Sequence, residues 1–489
     1  MNQVDGHSHR LRSVSILHTN DMHGRLDAMA RLSTFSRQIR RDAAAEGCET
    51  LLWDAGDAAD RSIQICGATK GALFPGILNA MGYTLQAMGN AISLTYGPQA
   101  MAKIGAGSSF PILAANCRDG EGPLIEGIHE FQIIPLQNGL TMGVIGLTSP
   151  LNGVYEDFGL HLPDFVLVAR RLVSTLREQG ASVIIVLSHL GLPDDRKLAD
   201  EVDGIDVIIG AHTHDRLERG EERNGVLIAQ AGHYAQAIGR VDLSLDVEYG
   251  RVASKKARVL DVPSDMPPDP AVVDAIKAAE QELSTILAEK IGEISDRLDV
   301  NYYRECGLGD LAADALRDRM KADAAMIAGG QFRADIPAGE LTLGVLDAAC
   351  FSTANPFLSE VPGTQILDAL ERGLDPAINT FKHHGLRGAP IGIPQISGMV
   401  VEYARNAPTG PRVRHVLVNG EPLDPGRSYR VAHTDMEIVP KVGYLVLEEK
   451  QTLTIEVPTI LREVLADYVL QHSPVPLPCG ERWIAVEQP

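Results

Sequence analysis

Cysteine is scarce, with six in 489 residues (Cys48, Cys66, Cys117, Cys306, Cys350 and Cys479) and no CxxC pair among them. That pattern argues against a dense disulfide framework and predicts mostly reduced thiols in a cytoplasmic protein. No run of about 18 apolar residues occurs, so no membrane span is expected. The opening MNQVDGHSHRLRSV lacks the apolar core of a secretory signal. Positive charge is also in deficit: Lys and Arg number 44 against 64 Asp and Glu, a net charge of −20. A surface this acidic repels phosphate backbones and anionic lipid, so neither nucleic acid nor membrane is an expected partner. Internal repeats and low-complexity tracts are missing too. Hydrophobic residues make up 45% of the chain, enough for sizeable cores, which excludes long disorder.

Two or three domains suit this length. Residues 14–262 repeat one theme, an apolar β-rich run ending in a polar turn and followed by a helical pattern. The runs lie at 14–18, 50–53, 112–114, 142–146, 183–187, 207–209 and 226–229. Runs so apolar suit strands buried on both faces, hence an α/β sandwich around one or two sheets. The breaker-rich PSDMPPDP at 263–270 marks a boundary. A charged amphipathic helix follows, so 263–290 reads as linker and connecting helix. Residues 291–489 read as a second α/β unit, and 1–13 as an N-terminal tail.

The polar residues that follow the strand-like runs share a chemistry. They are Asp21 and His23 in LHTNDMHG, Asp57 in LLWDAGD, Asn90 in AMGN, His189 in VIIVLSHLG, and His212 and His214 in VIIGAHTH. In an open α/β sheet, ligands bind beyond the carboxyl ends of the strands, so residues distant in sequence meet at one edge. Carboxylate, imidazole and amide donors suit divalent ions: Mn, Zn, Co, Fe, Ni or Mg. One aspartate can bridge two ions, which clamp a phosphoryl group and activate a water for in-line attack. Each residue alone is more simply a turn aspartate or a core histidine. The whole set, each member at a strand end, is not.

These segments resemble the 5′-nucleotidase family of calcineurin-like metallophosphoesterases. LHTNDMHG, DAGD, LSHLG and GAHTHD match its N-terminal signatures. GDLAADALR, GGQFRADIPAGELTLGVL, GTQILDALE and QISGMVVEY follow its C-terminal half in order. The resemblance implies a calcineurin-like four-layer α/β sandwich joined to a C-terminal 5′-nucleotidase-type α/β domain that binds substrate. It implies two divalent metal ions, a small phosphorylated substrate such as a nucleotide, and hydrolysis of a phosphate ester. Carried over by position, Asp21, His23 and His214 ligate one metal, Asn90, His189 and His212 the other, and Asp57 bridges. Arg333 matches a substrate arginine, whose guanidinium would grip a phosphate oxygen.

Two departures stand out. The family usually reads GNHEFDYG where this chain reads GNAISLTYG, from Gly89 to Gly97, so the usual catalytic His–Asp pair is unmatched. General acid–base help of that kind is worth about 10²–10⁴ in rate. No catalytic acid is assigned; His233, in AQAGHYAQ, is the nearest substitute in sequence. The nucleoside pocket also differs: Phe351 or Phe357 replaces the first stacking ring, Met436 stands near the second, and Val442 replaces an aspartate. Two alternatives therefore stay open: hydrolysis of another phosphomonoester or a phosphodiester, and a metal-bearing binding protein with impaired catalysis.

Overall fold

The computed structural model describes residues 11–383, 386, 388–404, 411–448, 451–478 and 480–486. Most of the expected tail and Cys479 lie outside them. The first strand begins at Leu11, inside the stretch expected to be tail. Two compact units meet between Leu283 and Ser284.

The first unit holds two sheets. One has seven strands in the order 251–261, 237–246, 11–19, 49–54, 85–87, 112–113 and 128–129. From Leu11–Thr19 outward to Ile128–His129 these pair in parallel, and Ala237–Asp246 and Arg251–Asp261 add antiparallel at the other edge. The second sheet runs 221–223, 226–229, 207–209, 183–189, 141–148 and 131–135. Its four inner strands are parallel and both edge strands antiparallel.

Alternation along the strands explains the layers. Val183, Ile185 and Leu187 face the other sheet with Val14, Ile16, Trp53 and Leu85, while Ile184 and Val186 face outward into helices. The outward faces are covered by Leu26–Ala45, Pro75–Met81 and Asn90–Gly107 on the first sheet and by Phe165–Glu178 and Leu192–Glu201 on the second. The result is a helix–sheet–sheet–helix sandwich of four layers. In Phe165–Glu178 the buried stripe is Phe165, Val168, Ala169, Leu172, Val173 and Leu176, at helical spacing, and Asp164 caps the first turn by accepting from the Leu167 N–H.

The proline-rich segment docks onto the first unit. Asp269 accepts from Ser33 Oγ at 2.7 Å and pairs with Arg37, and its N–H donates to Ala30 O. Helix Pro270–Leu287 then carries the chain onward.

The second unit is built on a five-stranded mixed sheet in the order 394–397, 324–328, 428–434, 356–362 and 453–455. Gly307–Met320 and Leu461–His472 cover one face, and Gly363–Leu374 the other. A four-stranded sheet and a two-stranded one complete it. Among the described residues no helix is long and apolar enough to cross a membrane.

Candidate metal centre

Parallel strands bring their carboxyl ends to one edge, and the two stacked sheets bring two such edges together. Asp21 and His23 follow Leu11–Thr19, Asp57 follows Glu49–Asp54, and Asn90 follows Leu85–Ala87. From the facing sheet, His189 ends Val183–His189, and His212 and His214 follow Val207–Ile209.

The turns that hold them are conformationally costly. Asp21, His23, Asp57, His212 and His214 have φ of 49°, 47°, 53°, 73° and 60°, in the left-handed region. That region costs a non-glycine residue about 1–2 kcal/mol and persists where surroundings over-determine it, commonly at functional sites. Here the turns are laced together: Asp21 N–H donates to Gly56 O, and His23 N–H to Asp57 O, each at 2.9 Å. His212 N–H donates to Asp21 Oδ2 at 3.0 Å, and Ala91 N–H to Asp57 Oδ1 at 2.9 Å.

All seven predicted side chains fall in one cluster. His23 Nε2 and His214 Nε2 are 3.1 Å apart, and His214 Nε2 is 3.5 Å from Asp21 Oδ1. His189 Nε2 lies 3.1 Å from Asp57 Oδ2, 3.0 Å from Asn90 Oδ1 and 4.0 Å from Asp21 Oδ1. The His212 ring centre is 5.3 Å from that of His189. Two groups, Asp21–His23–His214 and Asp21–Asp57–His189, each gather three potential donor atoms within 4.8 Å of one another. Asp21, Asp57 and His189 are buried, while the His23 and His214 side chains are 17% and 34% exposed, so the cluster opens on that side.

The electrostatics call for a cation. Burial works against a charged His189 ring, but the Asp57 carboxylate outweighs it and pushes the pKa up to about 9. Burial also opposes charge on His23, yet Asp60, Asp57 and Asp21 raise it above the ordinary value. Burial would raise Asp21, but hydrogen bonding to His214 and the charge on His189 hold it low. Buried carboxylates gathered this closely favour positive charge at the facing imidazole nitrogens, charge that a divalent ion would supply at the same atoms. Orientation fits as well. His189 Nδ1 meets Ala55 O at 2.9 Å and His23 Nδ1 meets Asp60 Oδ2 at 3.0 Å, leaving each Nε2 turned to the cluster.

Sequence reasoning missed the supporting residues. Asp60 lies three positions beyond Asp57 in DAGDAAD and orients His23. Asn20 donates to Asp21 Oδ2 at 2.8 Å and accepts from Ala231 N–H at 3.0 Å. The spacing of the carboxylates in DAGDAAD was the only signal of Asp60. His233 reaches the cluster, its ring stacked on His214 at 4.9 Å, with Nδ1 buried and lacking a partner among the described residues.

The segment GNAISLTYG is helical, as the start of Asn90–Gly107, which kinks at Gly97 (φ 68°, ψ −168°) before Pro98. Ile92, Ser93 and Tyr96 are buried in it, and Ser93 Oγ donates to Gly89 O. In the second unit Arg333 is exposed and its guanidinium lies 4.5 Å over the ring of Phe351. Phe357 is buried beside His433, and Met436 packs against the core.

Residues 14–216 match the calcineurin-like phosphoesterase family, and residues 290–447 match the 5′-nucleotidase C-terminal domain. The chain is 28% identical over 455 residues to an uncharacterized metallophosphoesterase, YunD, of Bacillus subtilis, covering 92% of this chain and 98% of that one. It is 25% identical over 449 residues to a 5′-nucleotidase of Diplobatis ommata, covering 82% and 76%. In fold it is similar to the NAD nucleotidase of Haemophilus influenzae, with a TM-score of 0.63, 18% identity and coverage of 98% and 100%.

Proposed function

The chain belongs to the 5′-nucleotidase family of calcineurin-like metallophosphoesterases and is a phosphoric ester hydrolase of a divalent-metal-using class, and from that premise we propose that it releases phosphate from a small nucleotide-type ester at a dinuclear centre in its first unit. The convergence of Asp21, His23, Asp57, Asn90, His189, His212 and His214 carries this reading. Asp21, His23 and His214 would hold one ion, Asn90, His189 and His212 a second, with Asp57 between them; Mn, Zn, Co, Fe, Ni and Mg all suit these donors. Ions bound there supply Lewis acidity toward the phosphoryl group and lower the pKa of water. Asp57 keeps one oxygen oriented by the Ala91 N–H and offers the other on the His189 side. His189 and His23 are held in their tautomers by Ala55 and Asp60. Arg333, exposed on the second unit, is the substrate-binding guanidinium that the family resemblance implies. The likeness to the 5′-nucleotidase of Diplobatis ommata and, in fold, to the NAD nucleotidase of Haemophilus influenzae supports a nucleotide substrate. Free thiols at Cys48, Cys66, Cys117, Cys306 and Cys350 suit a cytoplasmic location.

A second reading keeps the metals and changes the ester, to another phosphomonoester or a diester. The lack of any histidine, aspartate or glutamate between Ala91 and Tyr96 favours it. A hydrolysis screen of the metal-loaded protein separates the two, reading free phosphate from AMP, other 5′-nucleotides and sugar phosphates, and the released alcohol or mononucleotide from diesters and dinucleotides. Release from 5′-nucleotides, abolished by chelation and restored by Mn, Co or Zn, is expected. Full metal occupancy with no hydrolysis product from any monoester, diester or dinucleotide would leave only a binding protein.

A further inference from the structure

Arg25 lies two residues beyond His23 and caps the start of Leu26–Ala45. Its guanidinium carbon sits 4.4 Å over the ring of Tyr234. Among the described residues no carboxylate meets it, and what sets it apart from other exposed arginines is its seat on a ring that touches the cluster. On a chain of net charge −20 an unpaired, exposed guanidinium beside an acidic cluster is a feature to explain.

Tyr234 is itself held in place. Its φ is 59°, in the left-handed region that a bulky side chain avoids, and its N–H donates to Asp21 O at 2.8 Å. Its ring meets His23 and His214 edge-on, with centres 5.8 and 6.0 Å away, and His233 at 4.4 Å. Arg25 is therefore one ring away from two candidate metal ligands, on the side where the cluster opens to solvent. The strained turn fixes the platform, and the long arginine side chain can swing from it.

Resting on the hydrolase reading above, we propose that Arg25, carried on Tyr234, is a substrate-binding residue that grips the phosphate at the metal centre and favours dianionic monoesters over monoanionic diesters. A guanidinium fork matches two phosphate oxygens, and its charge draws a dianion more strongly than a monoanion. It also offsets the repulsion that Asp21 and Asp57 exert on an incoming anion.

The test uses the full metal-loaded chain and inorganic phosphate as the probe, followed by titration calorimetry, with metal content measured in parallel. Arg25→Ala is expected to weaken phosphate binding by about tenfold or more, the effect of losing a charge-assisted hydrogen bond. Its metal content should match the wild type. In turnover, its KM for p-nitrophenyl phosphate should rise more than kcat falls, and its preference for that ester over bis(p-nitrophenyl) phosphate should shrink. Arg25→Lys should recover part of the loss, and Tyr234→Leu, which removes the platform, should reproduce part of it. Phosphate binding unchanged in Arg25→Ala overturns the proposal, as does loss of metal together with phosphate, which would make Arg25 a structural residue. If the metal-loaded wild type binds no phosphate, the hydrolase reading fails and this proposal falls with it. Binding in the wild type and equally in Arg25→Ala overturns the role of Arg25 alone.

Discussion

Asp60 shows how much of the centre depends on a side chain outside the donor set. It holds His23 through Nδ1 at 3.0 Å. Burial would raise its pKa, yet the hydrogen bond from His23 and those from Ser62 hold it at about 2, so the carboxylate stays charged across the working range. Asp60→Asn is expected to lower metal affinity by about 10–100-fold with the fold intact, measured by competition with a chelator. Asp195 makes a separate, pH-dependent prediction. It is fully buried; one oxygen accepts from Ser188 Oγ and the other has no partner among the described residues. Burial pushes its pKa up to about 7, from an ordinary value of 3.8. The folded state then holds this proton more tightly than the unfolded chain does. Its stabilising contribution is complete below about pH 4 and is lost as pH rises through about 7. Asp195→Asn should flatten part of the fall in thermal midpoint between pH 5 and 8, and melt higher than the wild type at pH 8. Parallel melting profiles would refute it.

At the scale of elements, the centre depends on turns that approach one another closely. A Cβ on Gly89 would stand 2.0 Å from Asp57 Oδ1, and one on Gly56 would stand 2.5 Å from His189 Nδ1 at a φ of 108°. Gly89→Ala should therefore displace Asp57 and empty the centre of metal while far-ultraviolet circular dichroism stays native. Retained stoichiometric metal would contradict that geometry. The helix Asn90–Gly107 carries the other consequence. Its first turns, from Asn90 to Tyr96, contain no histidine, aspartate or glutamate, the usual leaving-group acids. Rates should then climb steeply as leaving-group pKa falls, with p-nitrophenyl phosphate far faster than AMP. Equal turnover of the two would place an acid on some other element.

At the scale of the molecule, the seven clustered side chains all belong to the unit ending at Leu283, and Arg333 belongs to the other. A chain truncated after that residue is expected to bind metal and hydrolyse p-nitrophenyl phosphate while losing any preference for nucleotides. Arg333→Ala in the full chain should raise KM for AMP by about tenfold, the loss of one charge-assisted contact, with little change toward the aryl ester. Equal effects on both esters would mean that Arg333 does not read the substrate.

What the sequence determined by itself is the set of candidate donors and their place at the strand ends. A strand buried on both faces must be a continuous apolar run, and the polar residue that ends the run is visible at once, as in VIIVLSHLG and VIIGAHTH. The order of the motifs was legible for the same local reason, whereas the proline-rich stretch 263–270, expected as the boundary, lies within the first unit and the chain divides at 283–284, inside the helix that follows. Leu85–Ala87 was not, because Gln86 interrupts its apolar run, and neither was the helical start of Asn90–Gly107. Only the tertiary structure decided that Asp60 and Asn20 brace the candidate donors and that five of those residues take the left-handed conformation. It also set Arg25 on Tyr234, joining residues 209 positions apart along the chain. Such contacts depend on register between strands distant in sequence and on turns strained by one another, and no local pattern of residues encodes either.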